Sequence, residues 1–280
     1  MSSLGRDEIA AGLTSLGVSA GDVVFVHSSL SSMGHVAGGA ETVVDAFLDV
    51  LGPEGTLVVP TFTLARDLEH GPVFDPLRDA SGMGRITETA RTRPGARRSR
   101  HLLHSVAAVG ADSDLADAHG PSAWAADGPF WRLHELDGRI VLLGVPYLRC
   151  TYFHMIEQLL QTPYRRWREF EARLMEPDGT LSPLVTRTFS PEPGFVGNDF
   201  NRFGALLEER GLVRVGAIGN AVARIFNARD AVLAGVALYR DDPLLFVETG
   251  EGLTPLKDGL MVGELHNEKA VLDPNRIYEG

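Results

Sequence analysis

Three short apolar runs constrain this chain most: Val23-Val24-Phe25-Val26, Thr56-Leu57-Val58-Val59-Pro60 and Ile140-Val141-Leu142-Leu143-Gly144-Val145. Runs of this length and β-branched content read as buried strands, and residues 41–51 between the first two carry the period of an amphipathic helix. The resulting β-α-β order predicts a layered α/β fold in which at least part of the sheet is parallel. Further along, the pattern predicts helices over 6–16, 85–92, 113–118, 200–210 and 221–233. It predicts strands over 105–110 and 213–218, and a hairpin within 174–190 around Pro177-Asp178-Gly179. Residues 61–81 are rich in turn formers and read as a long functional loop. No linker or repeat interrupts the chain. The expectation is one domain over 1–280, with the poorly periodic 254–280 as a C-terminal arm.

At 280 residues, with 44% hydrophobic and 22% charged residues, the chain has the make-up of a soluble protein with a substantial core. No apolar run approaches the roughly 20 residues that a membrane span needs, and Met1-Ser2-Ser3-Leu4-Gly5-Arg6 lacks the apolar stretch of a signal peptide, so no membrane contact is expected and cytoplasm is the expected compartment. The one cysteine, Cys150, excludes an intrachain disulfide framework and gives no support to a multi-cysteine zinc site. A formal charge of -11 argues against nucleic-acid binding and suits a cationic small molecule. Against that acidic background Arg91, Arg93, Arg97, Arg98 and Arg100 form one basic cluster, as suited to an anionic cofactor tail as to solvation.

The chemistry-bearing stretch is Thr151-Tyr152-Phe153-His154-Met155-Ile156-Glu157. It follows the third apolar run, and a strand that gives way to a loop and helix delivers polar side chains to the carboxyl edge of a sheet, where ligands bind. On a helix Thr151, His154 and Glu157 share one face, placing hydroxyl, imidazole and carboxylate within mutual reach. A plainer account makes them a helix cap, a packed histidine and a solvated glutamate.

Several blocks, in order, resemble the aminoglycoside 3-N-acetyltransferase family. They are Val26-His27-Ser28-Ser29-Leu30, Gly55-Thr56-Leu57-Val58-Val59-Pro60-Thr61-Phe62-Thr63, Phe74-Asp75-Pro76, Met83-Gly84-Arg85-Ile86-Thr87-Glu88, Arg98-Ser99 and His104-Ser105-Val106-Ala107-Ala108-Val109-Gly110. Leu142-Leu143-Gly144-Val145, followed by Thr151, His154 and Glu157, completes the set. The resemblance implies an α/β/α architecture around a central mixed, partly parallel sheet. It also implies acetyl transfer from acetyl-coenzyme A to a small-molecule amine without a covalent enzyme intermediate. His154 takes the role of general base, Glu157 orients it, and Thr151 hydrogen-bonds the thioester region or leaving thiolate. His27, Ser28, Ser29 and Leu30 correspond to the loop that binds the pantetheine arm. Ser99, His104, Ser105, Val106 and Ala107 are the remaining cofactor contacts it implies. An aminoglycoside is a polycation, and Asp67, Glu69, Asp75 and Asp199 are candidates for an acidic acceptor rim. A homodimer is compatible with the sequence.

The chain departs from the family pattern where Cys150 replaces the usual asparagine before Thr151, where His101-Leu102 stands for a His-Pro pair, and where Asp127-Gly128-Pro129-Phe130 lacks a serine before proline. These departures bear on the acceptor, leaving a non-aminoglycoside amine or a non-catalytic binding protein as alternatives. Cys150, four residues before His154, opens a thiolate route. A metal site from His101, His104, His154 and Glu157 matches no compact ligand motif.

Overall fold

A computed structural model of the chain describes residues 3–63 and 72–248. The first half comprises α1 (Arg6–Ser15), β1 (Val23–Ser28), α2 (Gly39–Leu51), β2 (Thr56–Pro60), β3 (Val73–Phe74), α3 (Arg85–Arg91), β4 (Arg97–Arg98) and β5 (Val106–Gly110). The second half comprises α4 (Pro129–Glu135), β6 (Arg139–Leu143), α5 (Phe153–Leu160), β7 (Arg165–Met175), β8 (Leu181–Pro191), α6 (Phe200–Glu209), β9 (Val213–Ile218), β10 (Ala221–Asn227) and α7 (Ala228–Asp241). Seven strands form one sheet in the order β4-β5-β2-β1-β6-β10-β9, and β3, β7 and β8 form a second. At the centre, β1 runs parallel to both β2 and β6, while β5, β10 and β9 pair antiparallel, so the sheet is mixed and partly parallel as expected.

Alternation along the strands divides the core in two. Val24, Val26, Leu57, Val59, Val141 and Leu143 point to a layer that includes Ile9 of α1, Phe47 of α2 and Ile86 of α3. Val23, Phe25, Val58, Ile140 and Leu142 point to the opposite layer, with Phe130 of α4, Phe153 of α5, Phe203 of α6 and Val232 of α7. This is the α/β/α arrangement. The chain leaves β1 for α2 on one face and leaves β6 for α5 on the other, so the two connections diverge and open a crevice at the carboxyl ends of these neighbouring strands.

The expected helix over 221–233 is wrong in its first half. Ala221–Asn227 is β10, which pairs with β6 and β9, and the helix begins only at Ala228. Ala221, Ala223 and Ile225 are buried at every second position, the period of a strand. Gly219-Asn220 is the two-residue turn that joins β9 to β10, and Asn227 caps α7 by accepting from the amides of Arg229 and Asp230 at 2.8 and 3.2 Å. The hairpin around Gly179 is present but far longer than expected, with eleven residues in each strand. Its charged outer half, with Arg166, Arg168, Glu169 and Glu171 exposed, hides the strand pattern. The proposed arm 254–280 lies outside the described residues. Among those described, no helix is long and apolar enough to cross a membrane.

Candidate active site

β1 carries its alternation one step past the core: Val23 and Phe25 face the α5 layer, and His27 follows them. His27 Nε2 accepts from the Thr151 amide at 3.2 Å and lies 3.1 Å from the Thr151 hydroxyl. Burial, reinforced by the nearby His154, pushes His27 down to about 3, so it is neutral and serves as a fixed acceptor. Thr151 itself precedes α5, which starts at Phe153, and leads into it through a turn in which the His154 amide donates to the Thr151 carbonyl at 3.2 Å, so Thr151 and His154 line the same cavity. Thr151 is held there by His27 and by Trp124, whose indole N–H donates to the Thr151 carbonyl at 3.1 Å.

His154 and Glu157 stand one turn apart on α5, and His154 Nδ1 donates to Glu157 Oε2 at 2.5 Å. That bond leaves Nε2 as the unprotonated nitrogen. Phe200 and Trp124 wall the ring at centroid distances of 5.0 and 5.7 Å. Glu157 is fully buried and is matched by two partners that the sequence reading missed. Arg165, the first residue of β7, places Nε 2.9 Å from Oε2, and Asn198 donates from Nδ2 to Oε1 at 2.7 Å. Arg165 is anchored in turn on the Phe189 carbonyl at 2.9 Å and on Asn198 Oδ1 at 2.7 Å. Burial alone would raise the Glu157 carboxyl, but His154 and Arg165 outweigh it and hold it below the usual carboxylate range. His154 is held below the ordinary histidine value by burial and by the Arg165 charge, against the opposing pull of Glu157. It is therefore neutral near pH 7, as a base must be.

His154 opens onto a cavity of about 430 Å³ whose lining includes His27, Ser28, Phe62, His104, Arg149 and Thr151. A groove of about 560 Å³ shares Ser28 and Met83 with it and runs past Ser29, Leu30, Gly39, Gly84 and Arg85. Of the expected cofactor residues, His27, Ser28 and His104 line the cavity, and Ser28, Ser29 and Leu30 line the groove. His104 is kept neutral chiefly by burial and sits among Phe62, His101 and Trp124. The other four line neither space. Ser99 accepts from the Val106 amide at 2.9 Å, Ser105 is tied to the Thr61 carbonyl at 2.9 Å, and Val106 and Ala107 point into the two cores.

Of the expected acidic rim, Asp75 and Asp199 are engaged locally. Asp75 accepts from the amides of Leu77 and Arg78, both at 3.0 Å, and closes a turn. Asp199 is the cap of α6 and accepts from the Arg202 amide at 3.0 Å. Short carboxylates close a turn or helix end by accepting local amides, and these two are spent in that way. Asp67 and Glu69 lie outside the described residues.

Each arginine of the basic cluster has a partner within the fold. Arg91 binds Glu88, Arg93 binds Asp45, Arg97 binds Asp117, Arg98 reaches the Thr61 carbonyl, and Arg100 lies 3.5 Å from Glu176. Cys150 is fully buried, and burial pushes its thiol far up, away from the thiolate form that nucleophilic chemistry requires. The native protein should therefore resist alkylation by iodoacetamide, and Cys150→Ala should retain turnover. Loss of activity on alkylation at one equivalent would revive the thiolate route. Among the described residues, no three His, Cys, Asp or Glu side chains come together as a metal-holding group.

Comparison with known proteins identifies the family. Residues 25–240 match the model of the aminoglycoside 3-N-acetyltransferase family. The chain is 35% identical to aminoglycoside N(3)-acetyltransferase VII of Streptomyces paromomycinus, over 83% of this chain and 90% of that protein. It is 33% identical to aminoglycoside N(3)-acetyltransferase VIII of Streptomyces fradiae, over 82% and 90%. The crystal structure of aminoglycoside acetyltransferase AAC(3)-Xa superposes with a TM-score of 0.78 at 34% identity, covering 85% of this chain and 93% of that one. A binary complex of AAC-IIIb with CoASH superposes with a TM-score of 0.75 at 27% identity, covering 89% and 100%. The chain belongs to the aminoglycoside 3-N-acetyltransferase family, a family of acyltransferases that use acetyl-coenzyme A.

Proposed function

We propose that the chain transfers the acetyl group of acetyl-coenzyme A directly to an amine of an aminoglycoside, the 3-amino group of the 2-deoxystreptamine ring, with His154 as general base. The observation that carries this reading is the neutral His154, oriented by a buried ionised Glu157, at the head of a cavity that joins a long groove. The groove fits a narrow pantetheine arm. Gly39 and Gly84 both line it, and a Cβ at either position would meet no protein atom within 4 Å. The hydroxyls of Ser28, Ser29 and Ser31 supply polar partners along it. Bound there, acetyl-coenzyme A supplies an activated thioester carbonyl.

The residues divide the remaining work. An amine attacks only when unprotonated, so His154 Nε2 removes its proton, and Glu157 stabilises the imidazolium that results. Thr151, fixed through His27 and Trp124, lines the cavity beside His154, where its hydroxyl would meet the thioester region of a bound cofactor. The overall charge of -11 draws a polycation toward the molecule.

A second reading is favoured by one observation. Among the described residues, the cavity lining holds no carboxylate and one guanidinium, Arg149. That lining suits an amine with fewer positive charges, such as a non-aminoglycoside acceptor of a biosynthetic pathway. The deciding experiment is thiol release from acetyl-coenzyme A with a panel of 2-deoxystreptamine aminoglycosides, followed by mass spectrometry. A gain of one acetyl group, placed on the 3-amino nitrogen by NMR, is the expected result. Coenzyme A binding with no aminoglycoside turned over would favour the second reading.

A further inference from the structure

The proposed base and its glutamate leave one group unexplained: a buried arginine that arrives from the second sheet and ends on the same carboxylate oxygen as His154. Arg165 Nε and His154 Nδ1 approach Glu157 Oε2 at 2.9 and 2.5 Å, and Asn198 Nδ2 takes the other oxygen at 2.7 Å. The Arg165 side chain is 5% exposed and Glu157 0%. A buried charge pair of this kind is weak as a source of stability, because desolvation offsets the attraction. Its geometry is instead that of a counter-charge set behind a catalytic pair.

We infer that Arg165 is a positioning residue of the reaction, which together with Asn198 keeps Glu157 aimed at His154 and sets the pH range over which His154 is free to accept a proton. This rests on the reading of His154 as the base. With Arg165 in place the glutamate's charge is already balanced, so it does not hold a proton on the imidazole in the resting enzyme. Without it, the partners left to Glu157 among the described residues are the neutral Asn198 amide and the His154 imidazole, and the pair takes up a proton at higher pH. The other titratable groups around His154 do not replace the arginine. His27 on β1 and His104 before β5 are both neutral through burial, Arg149 lines the cavity and makes no bond to Glu157, and Tyr164, beside Glu157, is pushed well above its ordinary range by burial.

The test uses the full chain and the variants Arg165→Met, Arg165→Lys and Asn198→Asp, each checked for folding by circular dichroism. The His154 imidazole is titrated by NMR, assigned with His154→Gln, and the acidic limb of kcat/KM is measured with acetyl-coenzyme A and an aminoglycoside that the parent enzyme acetylates. Arg165→Met is expected to move the midpoint and the limb upward by about one pH unit or more, the size of effect an adjacent opposite charge produces. Arg165→Lys, which keeps the positive charge, should leave the midpoint close to the parent's. Should Arg165→Met fail to fold, the isosteric Asn198→Asp decides, since a second carboxylate beside Glu157 must also move the midpoint up. Folded variants that titrate as the parent overturn the inference. The two readings fail separately: His154→Gln with full turnover removes the base, whereas an inactive His154→Gln beside an unmoved Arg165→Met midpoint removes the arginine's role alone.

Discussion

Alanine at position 154 is expected to lower kcat for acetyl transfer by about 10²–10⁴-fold, the usual contribution of a positioned general base. Coenzyme A binding should change little, because the groove residues Ser29, Leu30, Gly39 and Gly84 make no use of the imidazole. The size of the loss follows from the state of the ring. Burial and the Arg165 charge outweigh the pull of Glu157 and hold His154 below the ordinary histidine value, so the neutral, competent form prevails near pH 7. As pH falls through the lowered value of His154, the parent enzyme should lose activity, and the residual activity of the variant should lack that limb. Steady-state thiol release and calorimetric binding of coenzyme A separate the two effects. A variant with parental kcat would take His154 out of the mechanism, and one that no longer binds coenzyme A would recast it as a cofactor residue.

Phe153→Ala is expected to destabilise the fold by about 3–5 kcal/mol, the cost of emptying a well-packed aromatic site. Phe153 is fully buried, with Phe203, Phe200 and Phe226 at centroid distances of 4.7, 5.4 and 5.6 Å. These rings come from α6 and β10, so the cluster fastens α5 to the sheet one residue before the base. Urea unfolding, with midpoint and slope both fitted, measures the loss. A change under about 1 kcal/mol would mean that the neighbouring rings close over the gap, which is outside the range seen for large aromatic truncations.

How far the sequence discloses the site depends on the distance over which each contact is made. β1, β2 and β6 are legible because their apolar runs are buried on both faces, which shows directly in residue type. His154 and Glu157 are legible because they are one helical turn apart. Arg165 and Asn198 reach Glu157 from β7 and from the loop before α6, and nothing local marks an arginine at the start of a charged strand as buried. Ser99, Ser105, Asp75 and Asp199 show the converse. Each is of a type that binds ligands, yet each is consumed by a nearby backbone or hydroxyl partner that only the folded register reveals. β10 was obscured by alanines, which suit a helix as well as a strand, although Gly219-Asn220 and the capping Asn227 carried the signal of a turn and a later helix start.

The position of β6 in the sheet also bears on how the catalyst is made. Phe25 pairs with Ile140, on the order of a hundred residues away along the chain, and closing so long a segment delays the pairing relative to local structure. The groove is lined by residues within that segment, from Ser28 to Ile86, whereas His154, Glu157, Arg165 and Asn198 all follow it. On the proposed mechanism, acetyl transfer must wait until the ribosome has released the chain beyond Asn198 and β6 has slotted in beside β1. A chain cut between β5 and β6 would lack the proposed base altogether and would leave β1 without its β6 neighbour.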